Sequence, residues 1–319
     1  METATEEKKK KKGKKAAVLV IFLCLIVFFA VVMAINSRKP ENIAIDKLDG
    51  DIKGMAFITT NKLLVEQMYS NWLPNDLFWP TVLLDNMPSF QIGELEVVRY
   101  NIRVLRDNLS RMRTTDKLDP LAEEAFTSLS NDPYKWWFPS AESKWKKACN
   151  DLQSLKKNLL AGKSQFYPRA DNLVELLQQY ASLMGGVNTR LINAPRDINR
   201  VLTIDDTDEE KAKGLKMVEV DIPWYLIDNN FYYAQGAAYA LNESFKAIRI
   251  DFIDVLTDKN SLTLLDKIIE NLKRCDFEPL IVFNGDPGSI FANHSLNLSG
   301  VFNDARQKVN SLIVSLTQG

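Results

Sequence analysis

Histidine and cysteine are scarce in this sequence, which argues against several kinds of site. His294 is the sole histidine among 319 residues, and Cys24, Cys149 and Cys275 form no C-x-x-C pair. The spacing therefore predicts no metal site, and nothing in the sequence predicts a cofactor. Serine hydrolysis has little support, because there is no G-x-S-x-G elbow and His294 would be the only imidazole base. Cys149 and Cys275 leave two alternatives open, one disulfide or two buried thiols.

Excess positive charge is also lacking over most of the chain. The whole sequence has 40 Lys and Arg against 41 Asp and Glu, and residues 1–39 hold nine of the basic and three of the acidic residues. Residues 40–319 therefore carry 31 basic against 38 acidic residues, a net charge of about −7. Nucleic-acid surfaces need clustered positive charge, so no nucleic-acid partner is expected. An apolar fraction of 46% is ample for a packed core.

One run contains no charge at all. Residues 16–35 read AAVLVIFLCLIVFFAVVMAI. A helix rises about 1.5 Å per residue, so this run spans roughly 30 Å, the hydrocarbon thickness of a bilayer. Seven lysines precede it within residues 8–15, and only Arg38 and Lys39 follow closely. The positive-inside rule then predicts a cytoplasmic tail over 1–15, a transmembrane helix over 16–35, and the rest on the far side of the membrane.

A cleavable signal peptide and a lipidated cysteine are the two alternatives to an anchor for this run. A cleavable signal peptide has an apolar core of about 7–15 residues and a small-residue cleavage site. The run here is longer, and the residues that follow it, MAINS at 33–37, form a poor site. A lipidated cysteine normally follows a small residue, whereas Leu23 precedes Cys24. An uncleaved anchor is therefore favoured.

Beyond the anchor the apolar spacing predicts a mainly α fold. Apolar residues three and four positions apart predict a helix from about Gly93 to Arg113. Asp119-Pro120 and Pro139-Ser140 are typical helix starts, and Gly162 a typical helix end. Residues 36–55 are polar and predict a linker, and the acidic segment 203–214, TIDDTDEEKAKG, predicts an exposed loop. The sequence thus predicts a helical bundle behind one transmembrane helix.

A repeated pattern suggests an internal duplication of the bundle. Asp85-Asn86 begins eight positions before Gly93, and Asp228-Asn229 begins eight positions before Gly236. Apolar residues coincide at +5, +9, +12 and +16 from each glycine. The pattern predicts two related helical halves, 56–202 and 215–319, on either side of the acidic loop. The alternative is two unrelated amphipathic helices, because all such helices share this period.

Four segments of the sequence resemble a known family. They are WLPNDLFWPTVLLDNMPSFQIGELEVVR, LRDNLSRMRTTDKLDP, SNDPYKWWFPSAESKW and FYPRADNLVELLQQYASLMGGVNTRL. The chain is similar over nearly its whole length to the domain-of-unknown-function family 2333, single-pass inner-membrane proteins of proteobacteria. The resemblance implies a bacterial inner-membrane anchor and a periplasmic location for the bulk of the chain. It supplies no catalytic residue.

Charged and aromatic residues form two groups of site candidates. In the first group, Asp171 would favour the positive end of a helix dipole, and the arginines would bind an anion or clamp that helix to the Trp-rich segment. In the second group, aromatic residues beside a carboxylate are typical of glycan grooves but more often fix loops to a core. The first group is Arg103, Arg111, Arg169 and Asp171, and the second is Trp79, Asp85, Trp136 and Trp137.

No clear catalytic constellation emerges, so the sequence favours a non-enzymatic scaffold, interaction or regulatory partner in the bacterial cell envelope. Confinement to one bilayer raises the effective concentration of such partners. The expected partners are inner-membrane lipids and another envelope protein, and a homo-oligomer stays open. The alternative function is a protein that binds or cleaves cell-wall glycan, for which cleavage requires two facing carboxylates about 5–9.5 Å apart.

Overall fold

The computed structural model of the chain describes residues 2–44, 52–113, 115–193, 196–201, 216–221, 226–279, 281–284 and 292–318, without the side chains of 2–14, 196–201 and 216–221. These residues form ten α-helices and one antiparallel hairpin, so the prediction of a mainly α fold is confirmed. The helices are α1 Glu2–Asn36, α2 Met55–Ser70, α3 Asn86–Val104, α4 Pro120–Leu129, α5 Ala141–Leu160, α6 Ala170–Ile192, α7 Ile227–Asp251, α8 Ile253–Asp258, α9 Leu262–Lys273 and α10 His294–Gln318. The strands are β1 Arg196–Val201 and β2 Lys216–Asp221.

Helix α1 contains the uncharged run. Its segment Lys15–Asn36 has a mean hydropathy of 3.5, and no residue of its most apolar stretch is buried against the rest of the chain. Twenty-two residues at about 1.5 Å each give roughly 33 Å. The helix is therefore long and apolar enough to cross a bilayer.

The predicted helix starts are confirmed where capping residues are present. The Asp119 carboxylate accepts hydrogen bonds from the first N–H groups of α4, those of Leu121 and Ala122, and Pro120 is the first residue of that helix. The Ser140 hydroxyl caps α5 in the same way by accepting from the N–H of Ser143. These side chains satisfy N–H groups that have no partner within the helix.

Helices α3 and α7 cross at the two glycines of the repeated pattern. A Cβ added to Gly93 would lie 2.0 Å from the carbonyl oxygen of Tyr233, and one added to Gly236 would lie 1.8 Å from that of Phe90. Tyr233 stands three positions before Gly236, and Phe90 stands three positions before Gly93, so the crossing is reciprocal. The absence of a side chain at both positions lets the two backbones touch.

A second symmetric contact fixes the direction of the two helices. The Asn101 amide nitrogen donates to the Ser244 hydroxyl at 2.8 Å, and both residues stand eight positions after their glycine. Because these contacts advance in the same direction along both helices, α3 and α7 run parallel. An approximate two-fold axis therefore runs along the bundle between them.

The flanking helices follow the same symmetry. Helix α2 packs on α5 and α7, and α4 packs on α5 and α3; correspondingly α6 packs on α10 and α3, and α9 packs on α10 and α7. The bundle thus consists of two four-helix layers built from α2–α5 and from α6, α7, α9 and α10. The sequence placed α6 in the first half, 56–202, whereas this packing groups it with the second. The acidic loop 203–214 lies outside the described residues.

The parallel central helices give the bundle two distinct ends. At the proximal end α3 and α7 begin, and the chain arrives there from α1. Residues 37–44, which we call the strap, pack on this end: Lys39 Nζ lies 2.7 Å from Asp276 Oδ1, the Tyr239 hydroxyl donates to the Glu41 carbonyl at 2.7 Å, and Ile43 is buried. The described part of the expected linker 36–55 is therefore attached to the bundle rather than free. At the opposite, distal end α3 stops and α6 begins.

Candidate functional site

The structure places the two groups of candidate residues at opposite ends of the bundle. Arg103 is exposed in the last turn of α3, toward the distal end, but does not line the distal cleft. The distal group is Arg111, Arg169 and Asp171. The proximal group is Trp79, Asp85, Trp136 and Trp137.

The distal arginines are bound by protein acceptors. Arg169 donates through Nε to Asp171 Oδ1 at 3.0 Å and through Nη1 to the Met112 carbonyl at 3.1 Å. Arg111 donates through Nε to the Asp107 carbonyl at 2.9 Å. Arg169 therefore fastens the start of α6 to the segment after α3, whereas Arg111 bonds within that segment. The sequence had suggested the Trp-rich segment as the clamped partner of α6. Both guanidinium groups border an open cleft.

Two proximal connections lie side by side and are held by buried anchors. Residues 71–85 join α2 to α3, and residues 130–140 join α4 to α5. The Trp72 indole donates to the Pro133 carbonyl at 2.9 Å and packs on the Trp145 ring at 4.1 Å between centroids. The Asn75 amide donates to Glu142 Oε1 at 2.9 Å. The two connections are therefore fixed to the core and to each other.

The tips of these connections expose large apolar side chains. We call residues 77–83 and 134–138 the aromatic loops. Phe78 is 81% exposed and Phe138 is 85% exposed, while Trp136 stacks edge-on against Trp137 with centroids 5.2 Å apart. The further exposed apolar residues of the aromatic loops are Leu77, Trp79, Val82, Leu83 and Tyr134. Contiguous apolar surface of this kind marks an interaction site.

The first aromatic loop touches α1. The Trp79 ring lies edge to face on the Phe29 ring, with centroids 4.5 Å apart and planes at 77°. Phe29 stands six residues before Ile35, the end of the uncharged run, which corresponds to about 9 Å along the helix axis. Trp79 therefore packs beside the apolar part of α1 and not beyond its end.

The two Asp-Asn pairs of the repeated pattern meet at the proximal end. Burial raises the pKa of the Asp228 carboxyl above its ordinary value, and the negative charge of Asp85 raises it further. An open cleft beside them is bordered by Asp85, Tyr134 and Arg190, whose guanidinium stacks over Tyr233 at 4.4 Å. The sequence candidates lacked Asp228 and Arg190, although the repeated Asp-Asn pair pointed to Asp228.

A further carboxyl group is buried next to the strap. Glu94 on α3 is 2% exposed and its Oε1 has no partner among the described residues. Burial raises its pKa well above the ordinary value, because the charged form loses its hydration. Together with Gln91 and Gln67 it borders a small cavity below the strap. The sequence alone could not single out Glu94, since its burial depends on how α2, α3 and the strap pack.

Both cysteines outside α1 are free, buried thiols. Cys149 on α5 directs its thiol toward the Lys62 carbonyl at 3.9 Å, and Cys275 after α9 directs its thiol toward the Asn271 carbonyl at 3.5 Å. Burial raises the pKa of Cys275 to about 12. Of the two alternatives left open, the structure has the thiols and not the disulfide. In the described part of the chain no three His, Cys, Asp or Glu residues are grouped as metal ligands.

Comparison with known families identifies the chain. It belongs to the bacterial family described as an uncharacterized protein conserved in bacteria (DUF2333), whose model matches residues 9–319. The resemblance inferred from the four sequence segments is thereby confirmed. No curated protein and no solved structure shows significant similarity to the chain.

Proposed function

We propose that this protein is a single-pass inner-membrane protein whose lysine-rich tail stays in the cytoplasm and whose helical domain acts in the periplasm. Its role there is that of a non-enzymatic scaffold or interaction partner in the cell envelope. The supporting observation is the strap, which attaches the domain to α1 in one orientation. A domain held this way presents the same surface to every neighbour in the bilayer, as a scaffold requires.

Several contacts hold the strap in place. The Lys39 ammonium lies between Asp276 Oδ1 and Glu278 Oε1, at 2.7 and 3.1 Å, and its side chain is only 17% exposed. The Tyr239 hydroxyl both donates to the Glu41 carbonyl and lies 2.9 Å from Gln67 Oε1. Because its carboxylate partners are exposed, the Lys39 pair contributes about 1 kcal/mol at most. The strap is held by the sum of these contacts with the buried Ile43.

Membrane topology is the first test of this proposal. A reporter active only in the periplasm, fused after Gly319, is expected to be active, and the full-length chain is expected to resist alkaline extraction from membranes. A reporter active only in the cytosol, or a mature protein that lacks its first forty residues, would overturn the proposed arrangement.

Crosslinking in native membranes tests the role as a scaffold. We expect one recurrent partner in mass spectrometry, with crosslinks confined to particular faces of the domain. The double variant Lys39→Glu with Tyr239→Phe should release the strap, so that the crosslinks are no longer confined to particular faces of the domain. Lys308→Glu is the matched control, because it breaks an ion pair on α10, Lys308–Asp304 at 2.6 Å, away from the strap. Crosslinks that are random in the wild-type protein would contradict the proposal.

A second candidate function has one observation in its favour. Asp85 and Tyr134 border an open cleft next to the aromatic loops, and the negative charge of Asp85 raises the pKa of the neighbouring Asp228 carboxyl. We therefore propose glycan binding as the alternative. Sedimentation with peptidoglycan sacculi and a glycan-release assay test it, with the double variant Asp85→Asn and Asp228→Asn as the comparison. Binding or release that this variant loses would favour the glycan function over the scaffold. The absence of both binding and release would refute the glycan function.

A further inference from the structure

We propose that the aromatic loops insert into the interfacial layer of the bilayer that α1 crosses, so that the domain rests on the lipid surface by its proximal end. The ligand of this surface is phospholipid. The inference rests on the proposed function only in requiring that α1 spans the membrane. It deepens that function by stating which face of the domain the bilayer covers and which faces stay open to partners.

The depth of Trp79 is the first step. Its ring contacts Phe29, about 9 Å inside the end of the uncharged run. If α1 spans the bilayer, that end marks the edge of the hydrocarbon, and Trp79 lies on its apolar side. Elements that lie in the interface bury their apolar face about 5–10 Å into the headgroup and acyl boundary. The distance along α1 therefore matches insertion of the loop and not mere proximity to the membrane.

The chemistry of the loops is the second step. Tryptophan and tyrosine combine a large apolar ring with a polar N–H or hydroxyl group and are enriched at membrane interfaces, and phenylalanine adds apolar area. Two of the six tryptophans, Trp72 and Trp145, are buried in the core, whereas Trp79, Trp136 and Trp137 are 53–64% exposed. The exposed rings therefore contribute little to the fold of the domain, and lipid is a suitable environment for them.

Continuity with α1 selects lipid over a protein partner. No residue in the most apolar stretch of α1 is buried, and Trp79, which packs on Phe29, extends that apolar surface directly. A water-soluble partner would have to enter the bilayer to cover Trp79. The loops are also fixed in advance by Trp72 and Asn75, so insertion orders few additional groups.

Charge is the final step. Residues 40–319 carry a net charge of about −7. Anionic headgroups therefore repel the domain as a whole, and its docking must derive from burial of apolar surface. Insertion driven in this way needs no anionic lipid and is insensitive to salt, which screens charges and not apolar contacts.

Site-specific fluorescence on the full-length protein tests the inference. In a Cys24→Ala background, Phe78→Cys or Trp137→Cys carries an environment-sensitive nitrobenzoxadiazole label, and Met112→Cys at the distal end is the control. Met112 is 56% exposed and apolar, so it matches the loop positions except in location. The buried thiols of Cys149 and Cys275 should stay unlabelled. The proteins are reconstituted in phosphatidylcholine nanodiscs without any other protein.

Labels at positions 78 and 137 should show blue-shifted emission, strong quenching by spin-labelled acyl chains, and iodide quenching several-fold weaker than at position 112. This pattern should persist at 1 M salt. Equal iodide quenching at all three positions would overturn the inference, as would shielding that appears only after membrane proteins are added. Alkaline extraction of the same samples reports on α1 separately. Water-exposed labels on a chain that resists extraction would refute the insertion and leave the proposed function standing.

Discussion

The close crossing of α3 and α7 makes Gly236→Ala the most informative single change in the domain. An alanine Cβ at this position would lie 1.8 Å from the Phe90 carbonyl oxygen, whereas ordinary contacts begin at 3.4 Å. The two helices would have to separate by about 1.6 Å at this point. The neighbouring atom belongs to the backbone of a buried helix, so it cannot rotate away as a flexible side chain can.

The size of the effect follows from two opposing terms. Alanine in a helix interior is more favourable than glycine by about 1 kcal/mol. Overpacking a tight core costs about 1–3 kcal/mol, and separating two central helices also weakens the contacts around them. We therefore expect Gly236→Ala to lower the free energy of unfolding by about 2 kcal/mol. Gly93→Ala should behave alike, because its Cβ would meet the Tyr233 carbonyl at 2.0 Å.

Two other helical glycines provide matched controls. A Cβ at Gly186 on α6 or at Gly300 on α10 would meet no atom within 4 Å. Alanine there should raise the free energy of unfolding by up to about 1 kcal/mol. Urea unfolding of the full-length protein in detergent, followed by far-ultraviolet circular dichroism, compares all four variants. If Gly236→Ala proved as stable as Gly300→Ala, the reciprocal crossing would be refuted.

Three further predictions concern the core. Burial raises the pKa of Asp251 to about 7 from an ordinary value near 4, so the folded state keeps a proton that the unfolded state has lost. The free energy of unfolding should therefore fall by about 3 kcal/mol as the pH rises from 4 to 7, and Asp251→Asn should remove that fall in urea titrations. Asn101→Leu should lower the free energy of unfolding by about 3 kcal/mol in the same assay, because it leaves the buried Tyr180 hydroxyl without its acceptor. The control Asn150→Leu, at an exposed position, should change the free energy of unfolding by no more than about 0.5 kcal/mol. Cys149 and Cys275 should both react with a maleimide-linked polyethylene glycol after non-reducing denaturation, and a single unreactive pair would show that the disulfide forms in the cell.

Local features of the fold were predictable from the sequence because their causes are local. The apolar run that predicts α1 and the capping residues Asp119 and Ser140 act within one or two turns of their helix. The predicted ends of helices without such capping residues were less accurate. The start of α3 was predicted near Gly93, whereas the helix begins at Asn86, seven residues earlier.

Juxtapositions across the chain were harder to predict. The spacing of Asp-Asn and glycine suggested two related halves, but it did not show that the two glycines meet where α3 crosses α7. The sequence placed α6 in the first half, 56–202, because nothing along the chain shows that it packs on α10. Likewise, Arg169 was a candidate from its position at a helix start, but its acceptor on Met112 is fixed only by packing.

The two layers of the bundle differ most in the connections that lead into their central helices, α3 and α7. The connection from α2 to α3 contains the exposed aromatic loop, whereas the equivalent connection, from α6 to α7, contains the acidic segment 203–214 with almost no apolar residue. Both connections leave the bundle at the proximal end, because α3 and α7 run parallel. A segment of this composition resists burial in lipid, so the two equivalent connections are not interchangeable at a membrane. If the first aromatic loop inserts into lipid as proposed above, only the first layer supplies apolar connecting surface at this end, and the symmetry that holds for the packed helices does not extend to their connections.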